Sequence, residues 1–257
     1  MKFKFKFIAS ITAIIVSIFC NTGCEDSGGS DNINVEDNTV VSGNTNSTST
    51  ATSTKEPTNN TTTSSTTSAI KQPININNWD FGTNNKNLVA CVGDSLTAGY
   101  ACDGAPYPSL LAGMISKKVI NYGVGGKLSN EGVSMVKSAL AAKPGYVCIL
   151  FGSNDAIHKI DAPTCGENIR KMIQDCKKNK SIPIVANLPI MIGDHKGYNA
   201  SAGRVSKSIA IVAKEEGAIF VDLRTAFGDG IGLINDDGLH LTVEGCTKLA
   251  QCFASKF

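Results

Sequence analysis

The sequence is poor in the features that mark metal, nucleotide and nucleic-acid binding proteins. It has no C-x-x-C pair, and none of its three histidines stands at metal-ligand spacing from a cysteine, which argues against a zinc site. No G-x-G-x-x-G or P-loop pattern follows the first predicted strand, so a nucleotide or flavin binder is an alternative without motif support. With 24 Lys and Arg against 22 Asp and Glu, the net charge of +2 predicts no nucleic-acid partner. We expect neither a metal ion nor an organic cofactor.

The sequence also lacks an apolar run long enough for a comfortable membrane span. Residues 7–19 follow a head with three lysines and have the length of a signal-peptide core. Residues 21–24 resemble a lipobox, but Asn21 replaces the usual aliphatic residue, so ordinary cleavage, with Cys24 in a discarded peptide, stays open. We predict a signal peptide over residues 1–24. The protein would be exported, either secreted or held as a surface or periplasm-facing lipoprotein whose membrane contact is a lipid anchor at Cys24.

Residues 25–78 contain few large apolar side chains and are dominated by Ser, Thr, Asn and Gly. Such a segment cannot offset its ordering entropy by burial, which predicts a flexible spacer. Ile74, Ile76 and Trp79 are expected to pack on the edge of the following domain. Residues 79–257 are then long enough for one domain with a single core, and we expect a monomer.

Short apolar runs and helical patterns alternate through this domain. The predicted strands cover residues 88–92, 119–122, 146–151, 182–188 and 218–223. Apolar residues at helical spacing predict helices around 169–176 and 205–212, the latter ending near Gly217, and a closing helix over 242–257. This alternation predicts an α/β fold in three layers, with a five-stranded parallel sheet covered by helices on both faces.

Polar or glycine-rich motifs follow the first three strands, and a fourth precedes the last helix. They read Gly-Asp-Ser-Leu-Thr at 93–97, Asn-Tyr-Gly-Val-Gly-Gly at 121–126, Gly-Ser-Asn-Asp at 152–155 and Asp-Gly-Leu-His at 237–240. Ligands bind beyond the carboxyl ends of parallel strands, so these motifs are expected to share one crevice.

A serine nucleophile needs a base, and the base needs a carboxylate that orients it. His240 has Asp237 three residues earlier, a spacing that one turn can close, while Asp236 is an adjacent rival with a poorer spacing. The other two histidines, His158 and His195, are expected in surface or mobile loops.

Taken in order, the four motifs resemble the sequence blocks of the SGNH/GDSL hydrolases, and most closely the small bacterial esterase/thioesterase/lysophospholipase branch. The resemblance covers nearly the whole domain and implies the flavodoxin-like fold of that family. It makes Ser95 the nucleophile, His240 the general base and then acid, and Asp237 the orienting carboxylate. It also implies further site residues: Ser95, Gly126 (with Gly123 as the alternative) and Asn154 for the oxyanion hole, and Asp94 and Asp155 for substrate binding.

The activity implied is ester hydrolysis through an acyl-serine, on an O-acylated carbohydrate, a lysolipid, or a short acyl ester or thioester. Residues 191–202 are expected to form a loop on the substrate side. The alternative is a catalytically silent module that binds a glycan or another ligand on the same scaffold.

Nine cysteines are present, two of them in the predicted signal region. Cys91 and Cys148 lie in strand runs and are expected to be small buried apolar residues. Cys102 and Cys165 follow the first and third motifs, so a disulfide between them would join two site-forming loops in an oxidising compartment. Two separate thiols are the equal alternative.

Overall fold

The computed structural model describes residues 70–257. The predicted signal peptide, Cys24 and the spacer up to residue 69 lie outside the described residues. Each predicted strand is present, with slightly different ends: β1 Asn85–Gly93, β2 Lys118–Gly123, β3 Pro144–Leu150, β4 Ile182–Ala186 and β5 Ile219–Val221.

The five strands form one parallel sheet in the order β2-β1-β3-β4-β5. The chain moves outward from β1 to β2 and then returns past β1 to β3, so the winding direction reverses between β1 and β3. A crevice opens at such a reversal, beyond the carboxyl ends of the strands. The predicted flavodoxin-like order is confirmed, and the order places the residues after β1 and β3 beside one another.

The helices are α1 Ser95–Ala98, α2 Tyr107–Ile115, α3 Ser129–Leu140, α4 Ser153–Ile157, α5 Ala162–Lys178, α6 Asn199–Glu215, α7 Leu223–Phe227 and α8 Val243–Ala254. Two short 3-10 helices cover Ile76–Asn78 and Gly193–Tyr198. Helix α2 packs against α8, and α5 packs against α3 and α6. Because right-handed crossovers put α2 and α3 on opposite faces of the sheet, these two groups are the outer layers of the predicted three-layer fold.

The core is centred on the middle strands. Every residue of β3 and β4 is buried, whereas the edge strand β2 is half-exposed. Cys91 and Cys148 are fully buried in β1 and β3, as expected from their apolar neighbours. None of the helices between residues 70 and 257 is long and apolar enough to cross a membrane.

The last part of the predicted spacer lies against the domain instead of leaving it freely. The backbone N–H groups of Lys71 and Ile74 donate to the carbonyls of Glu215 and Gly217, each at 2.9 Å. The Lys71 ammonium also pairs with Glu216, whose buried carboxylate accepts hydrogen bonds from two residues of α5 as well. Ile74, Ile76 and Trp79 pack on the core edge as expected.

The disulfide joins Cys102 to Cys246, so the predicted Cys102–Cys165 pairing is wrong. Cys165 is not on a loop: it lies in the first turn of α5, fully buried beneath the α3, α5 and α6 layer. Cys246 lies in α8, in the opposite layer, where the loop after α1 passes it. The two Cα atoms are 6.5 Å apart, within the range that a disulfide spans.

Candidate active site

Ser95 lies where β1 turns into α1, at the carboxyl edge of the sheet. Asp94 caps this short helix, since its Oδ1 accepts a hydrogen bond of 3.0 Å from the N–H of Leu96. The helix ends after one turn, at Gly99, which has a left-handed backbone conformation. Because α1 is so short, it covers little of the crevice. The serine hydroxyl is thereby held at the first helical position, facing outward beyond the strand.

The glycine at the end of β2 lets this turn approach closely. A side chain on Gly123 would collide with the backbone of Thr97 and Ala98, so only a residue without a Cβ fits under α1. The N–H of Gly123 donates to Asn121 Oδ1 at 2.8 Å. Gly123 therefore cannot serve as the oxyanion donor, and the alternative to Gly126 is removed.

The residues from Ile234 to Leu241, which we call the Asp–His turn, form a closed loop before α8. Ile234 and Leu241 make an antiparallel bridge, and the N–H of Asn235 donates to the carbonyl of His240 at 2.7 Å. Inside the loop, Asp237 Oδ1 accepts the N–H groups of Leu239 and His240, both at 2.9 Å. The three-residue spacing thus folds into a turn that fixes the carboxylate next to the imidazole.

The structure brings the three predicted side chains into one chain of hydrogen bonds. His240 Nδ1 lies 2.6 Å from Asp237 Oδ2, and His240 Nε2 lies 3.0 Å from Ser95 Oγ. A carboxylate can only accept, so Nδ1 carries the proton and Nε2 is left to accept from the serine hydroxyl. The rival Asp236 is exposed, and its side chain makes no hydrogen bond to any residue of the described segment.

The carboxylate of Asp237 is held in its charged form. Partial burial, the largest influence, raises its pKa, but the hydrogen bonds from the N–H of Leu239, the His240 ring and the N–H of His240 together bring the pKa below its usual value. An ionised Asp237 orients the imidazole and stabilises the imidazolium that forms when His240 takes a proton.

A cavity of about 430 Å³, which we call the serine cavity, opens over Ser95. The backbone N–H groups of Ser95 and Gly126 make no hydrogen bond within residues 70–257, so both are free to donate into it. Asn154 Nδ2 uses one N–H on the Lys127 carbonyl, at 3.1 Å, and keeps the second. The wall consists of Ser95, Tyr100, Gly125, Gly126, Asn154, Asp237, Leu239 and His240.

Two predicted substrate contacts are contradicted. Asp155 is buried, and its two oxygens accept hydrogen bonds from the hydroxyl and the N–H of Ser129, at 2.5 and 2.9 Å. These hydrogen bonds tie α4 to α3. Asp94 is fully buried beneath Ser95, where burial raises its pKa to about 7. Neither carboxylate lines the cavity, because both serve the turns that present their neighbours.

Two side chains near the site were missed from the sequence. Tyr100 is 64% exposed, and its ring centroid lies 4.5 Å from that of His240. His195, expected in a mobile loop, lies in the second 3-10 helix with Nδ1 2.6 Å from the carbonyl oxygen of Asp237. His158 is exposed at the end of α4, as expected. Within residues 70–257, no cluster of His, Cys, Asp or Glu could hold a metal ion.

Comparison with known proteins finds GDSL-family proteins and acetylxylan esterases among the relatives of this chain. The curated acetylxylan esterase of Xylanibacter ruminicola is 27% identical over an alignment of 204 residues. The match covers 65% of this chain and 42% of that protein, so the chain spans less than half of this relative. Among solved structures, a G-D-S-L family protein from Desulfitobacterium hafniense is 25% identical with a TM-score of 0.60, covering 67% of this chain and 100% of its own. An acetylxylan esterase from Geobacillus stearothermophilus shares the fold at 19% identity, with a TM-score of 0.57 and coverage of 67% and 94%.

The sequence profile of the GDSL-like Lipase/Acylhydrolase family matches residues 91–248, which is more than half of the chain. The match begins within β1, just before Ser95, and ends in α8, after the Asp–His turn. The α/β fold agrees with that of the solved relatives. The chain belongs to the GDSL-like lipase/acylhydrolase family of hydrolases.

Proposed function

We propose that the protein is a serine esterase that releases short acyl groups, foremost acetyl, from carbohydrate esters. The observation that carries the proposal is the unbroken line from Asp237 through His240 to Ser95, with contacts of 2.6 and 3.0 Å. A serine hydroxyl is a weak nucleophile by itself, and an adjacent base oriented by a carboxylate is the arrangement that activates it.

In the first half of the proposed reaction, Ser95 Oγ attacks the ester carbonyl while its proton passes to His240 Nε2. The carbonyl oxygen becomes an oxyanion, which the N–H groups of Ser95 and Gly126 and the free N–H of Asn154 stabilise. The C–O bond to the alcohol then breaks, and the imidazolium returns the proton to the leaving oxygen. The sugar hydroxyl departs, and the acyl group stays on Ser95.

The second half repeats these steps with water. His240 takes a proton from a water molecule, the resulting hydroxide attacks the acyl carbonyl, and the same three donors hold the second oxyanion. Breaking the bond to Ser95 releases the carboxylic acid, and the proton on His240 restores the serine hydroxyl. Asp237 remains ionised throughout, in agreement with its lowered pKa.

The wall of the serine cavity supports a short acyl group. Tyr100 and Leu239 are its two large apolar side chains, while Gly125 and Gly126 leave one side without any side chain. A long acyl chain would need a continuous apolar lining, which these residues do not offer. The exposed Tyr100 ring instead presents an apolar face to which a sugar ring can stack, and the curated relative is named an acetylxylan esterase.

A substrate series on the purified full chain tests this assignment. We expect p-nitrophenyl acetate to be hydrolysed faster than the butyrate and far faster than the octanoate, and acetylated xylo-oligosaccharides to lose acetate. A fluorophosphonate probe should label Ser95. Preference for the octanoate or for a lysophospholipid would contradict the short-acyl assignment, and binding of the oligosaccharide without any turnover would instead support a silent binding module.

A further inference from the structure

The Asp–His turn is held from outside by a segment that the proposed mechanism does not use. The N–H of Ile192 donates to the carbonyl of Gly238 at 2.9 Å, and Nδ1 of His195 lies 2.6 Å from the carbonyl oxygen of Asp237. Two consecutive carbonyls of the turn are therefore bound by the same four-residue segment, Ile192–His195. We call this segment the brace.

The proton arrangement of His195 follows from its partner. A backbone carbonyl can only accept, so Nδ1 of His195 must carry a proton and donate it, and this holds whether or not the ring is charged. The ring is itself placed by two further contacts. The backbone N–H of His195 donates to the carbonyl of Ile192 at 3.0 Å. The centroid of the His195 ring lies 5.9 Å from that of the Tyr198 ring.

The brace and the turn also touch at Gly238. This residue has φ of +76°, and a Cβ on it would collide with the carbonyl of Ile192. The two backbones are thus in close contact, and the turn cannot move outward at this point without displacing the brace.

The consequence concerns the carboxylate that orients the base. Asp237 Oδ1 and Oδ2 bind donors within the turn, while the carbonyl of the same residue binds His195 on the other side. Its peptide group is therefore fixed from both sides. Since Asp237 is 41% exposed, the surrounding packing alone does not immobilise it.

We propose that His195 is a positioning residue. Its ring holds the backbone carbonyl of Asp237, so that the Asp237 carboxylate stays aligned with the ring of His240. The proposal rests on the proposed esterase function, because alignment matters only if His240 acts as the base. It predicts an effect on turnover and not on substrate binding, since His195 does not line the serine cavity.

The test compares two substitutions of similar shape that differ in their donor. In His195→Asn the amide nitrogen can occupy the position of Nδ1 and donate, whereas His195→Leu has a methyl group there. We expect His195→Leu to lower kcat by about ten- to a hundredfold with little change in KM, as small misplacements of catalytic groups do. His195→Asn should recover most of the loss.

Two further measurements separate positioning from a general loss of structure. The downfield NMR signal of the His240 Nδ1 proton should be weakened by His195→Leu and retained in His195→Asn. Thermal unfolding establishes that the variants are folded, with His195→Ala as the donor-free variant if the leucine substitution does not fold. The exposed His158 supplies the matched control, and His158→Ala should behave as wild type.

The activities of the His195 variants are compared with that of Ser95→Ala. If Ser95→Ala keeps its activity, the proposed function fails, and with it the inference. If Ser95→Ala is inactive but folded His195→Leu shows wild-type kcat, the positioning role is wrong and the esterase assignment stands. An equal loss in the leucine and asparagine variants, or a loss confined to KM, would also overturn the role of His195.

Discussion

At the scale of single residues, the carboxylates of Asp94 and Asp155 have a structural role, whereas that of Asp237 contacts the candidate base His240. Asp155 binds Ser129, and Asp94 caps α1 from a fully buried position, so both shape the turns that present Ser95 and Asn154. Sequence spacing identified Asp237 correctly as the partner of His240, because three residues are enough to close a turn. It could not show which way the other two side chains point.

The nucleophile can be tested directly. Ser95→Ala removes the hydroxyl that contacts His240 Nε2, and we expect turnover of p-nitrophenyl acetate to fall by about a millionfold, since such groups act as a unit. The protein should remain folded, because the change removes only one oxygen at the cavity wall. Ester hydrolysis and thermal unfolding are the measurements, with Ser109→Ala on the exposed side of α2 as the control.

The base is tested in the same assay. We expect His240→Ala to lose nearly all turnover of p-nitrophenyl acetate, while His158→Ala keeps its activity. A folded Ser95→Ala protein with about a tenth of the wild-type rate, or a crippled His158→Ala beside a mild His240→Ala, would show that the site is misassigned.

The buried Asp94 predicts a pH dependence of stability. Its pKa is raised from 3.8 to about 7, so between these values the folded protein keeps a proton that the unfolded chain has lost. The contribution of Asp94 is therefore fully favourable below about pH 4 and is lost as the pH rises to about 7, by at most about 4 kcal/mol. Asp94→Asn keeps an oxygen for the Leu96 N–H and removes this loss.

The measurement is the free energy of unfolding in urea at a series of pH values. The advantage of Asp94→Asn over wild type should grow from about pH 4 to about pH 7 and then stay constant. Asp103→Asn, at an exposed position without a side-chain hydrogen bond, serves as control. Parallel pH curves for wild type and Asp94→Asn would mean that the carboxyl is ionised in the folded state.

At the scale of elements, the disulfide connects two parts of the site that the sheet does not connect. Cys102 lies two residues after Tyr100, and Cys246 lies in the first turn of α8, directly after the Asp–His turn. The bond therefore ties the loop that carries Tyr100 to the helix that follows His240.

Loss of this bond should lower both stability and activity. We expect the double substitution Cys102→Ser and Cys246→Ser to reduce the free energy of unfolding by about 2–4 kcal/mol, which is typical of a bond that closes a long loop. Activity should fall at temperatures where the protein is still folded. Cys252→Ser, at a free thiol in the same helix, should have little effect. Non-reducing peptide mapping of protein purified from an oxidising compartment should find Cys102 linked to Cys246; a Cys102–Cys165 peptide would contradict the structure.

At the scale of the whole molecule, the sequence predicted the architecture well because the strands are nearly continuous apolar runs. Once the strand order is that of a flavodoxin-like sheet, three motifs must meet at its carboxyl edge, and Ser95 and Asn154 do. Contacts that depend on the packing of distant segments were out of reach. His195 and Asp237 are 42 residues apart in the sequence, and Cys102 and Cys246 are 144 apart. No local sequence pattern predicts either contact.

The polar contacts of the last residues of the predicted spacer also depend on distant segments and could not be predicted from the sequence. Composition marks residues 70–78 as spacer, yet Lys71 is fixed by the buried carboxylate of Glu216. That carboxylate precedes β5 by a few residues, so this attachment lies at the amino edge of the sheet. The Trp79 indole, which donates to the carbonyl of Lys180 just before β4, lies at the same edge.

The position of this attachment decides how the molecule would face its surroundings. The nine residues of β1 carry the chain about 30 Å, from the edge where residues 70–79 enter to the edge where Ser95 is presented. A bead or fusion partner attached directly at residue 70 would therefore lie at the edge of the sheet opposite the opening over Ser95. Under the proposed function, a molecule immobilised at this point should keep its activity on an insoluble substrate, since the substrate would not have to enter the gap between the enzyme and its support.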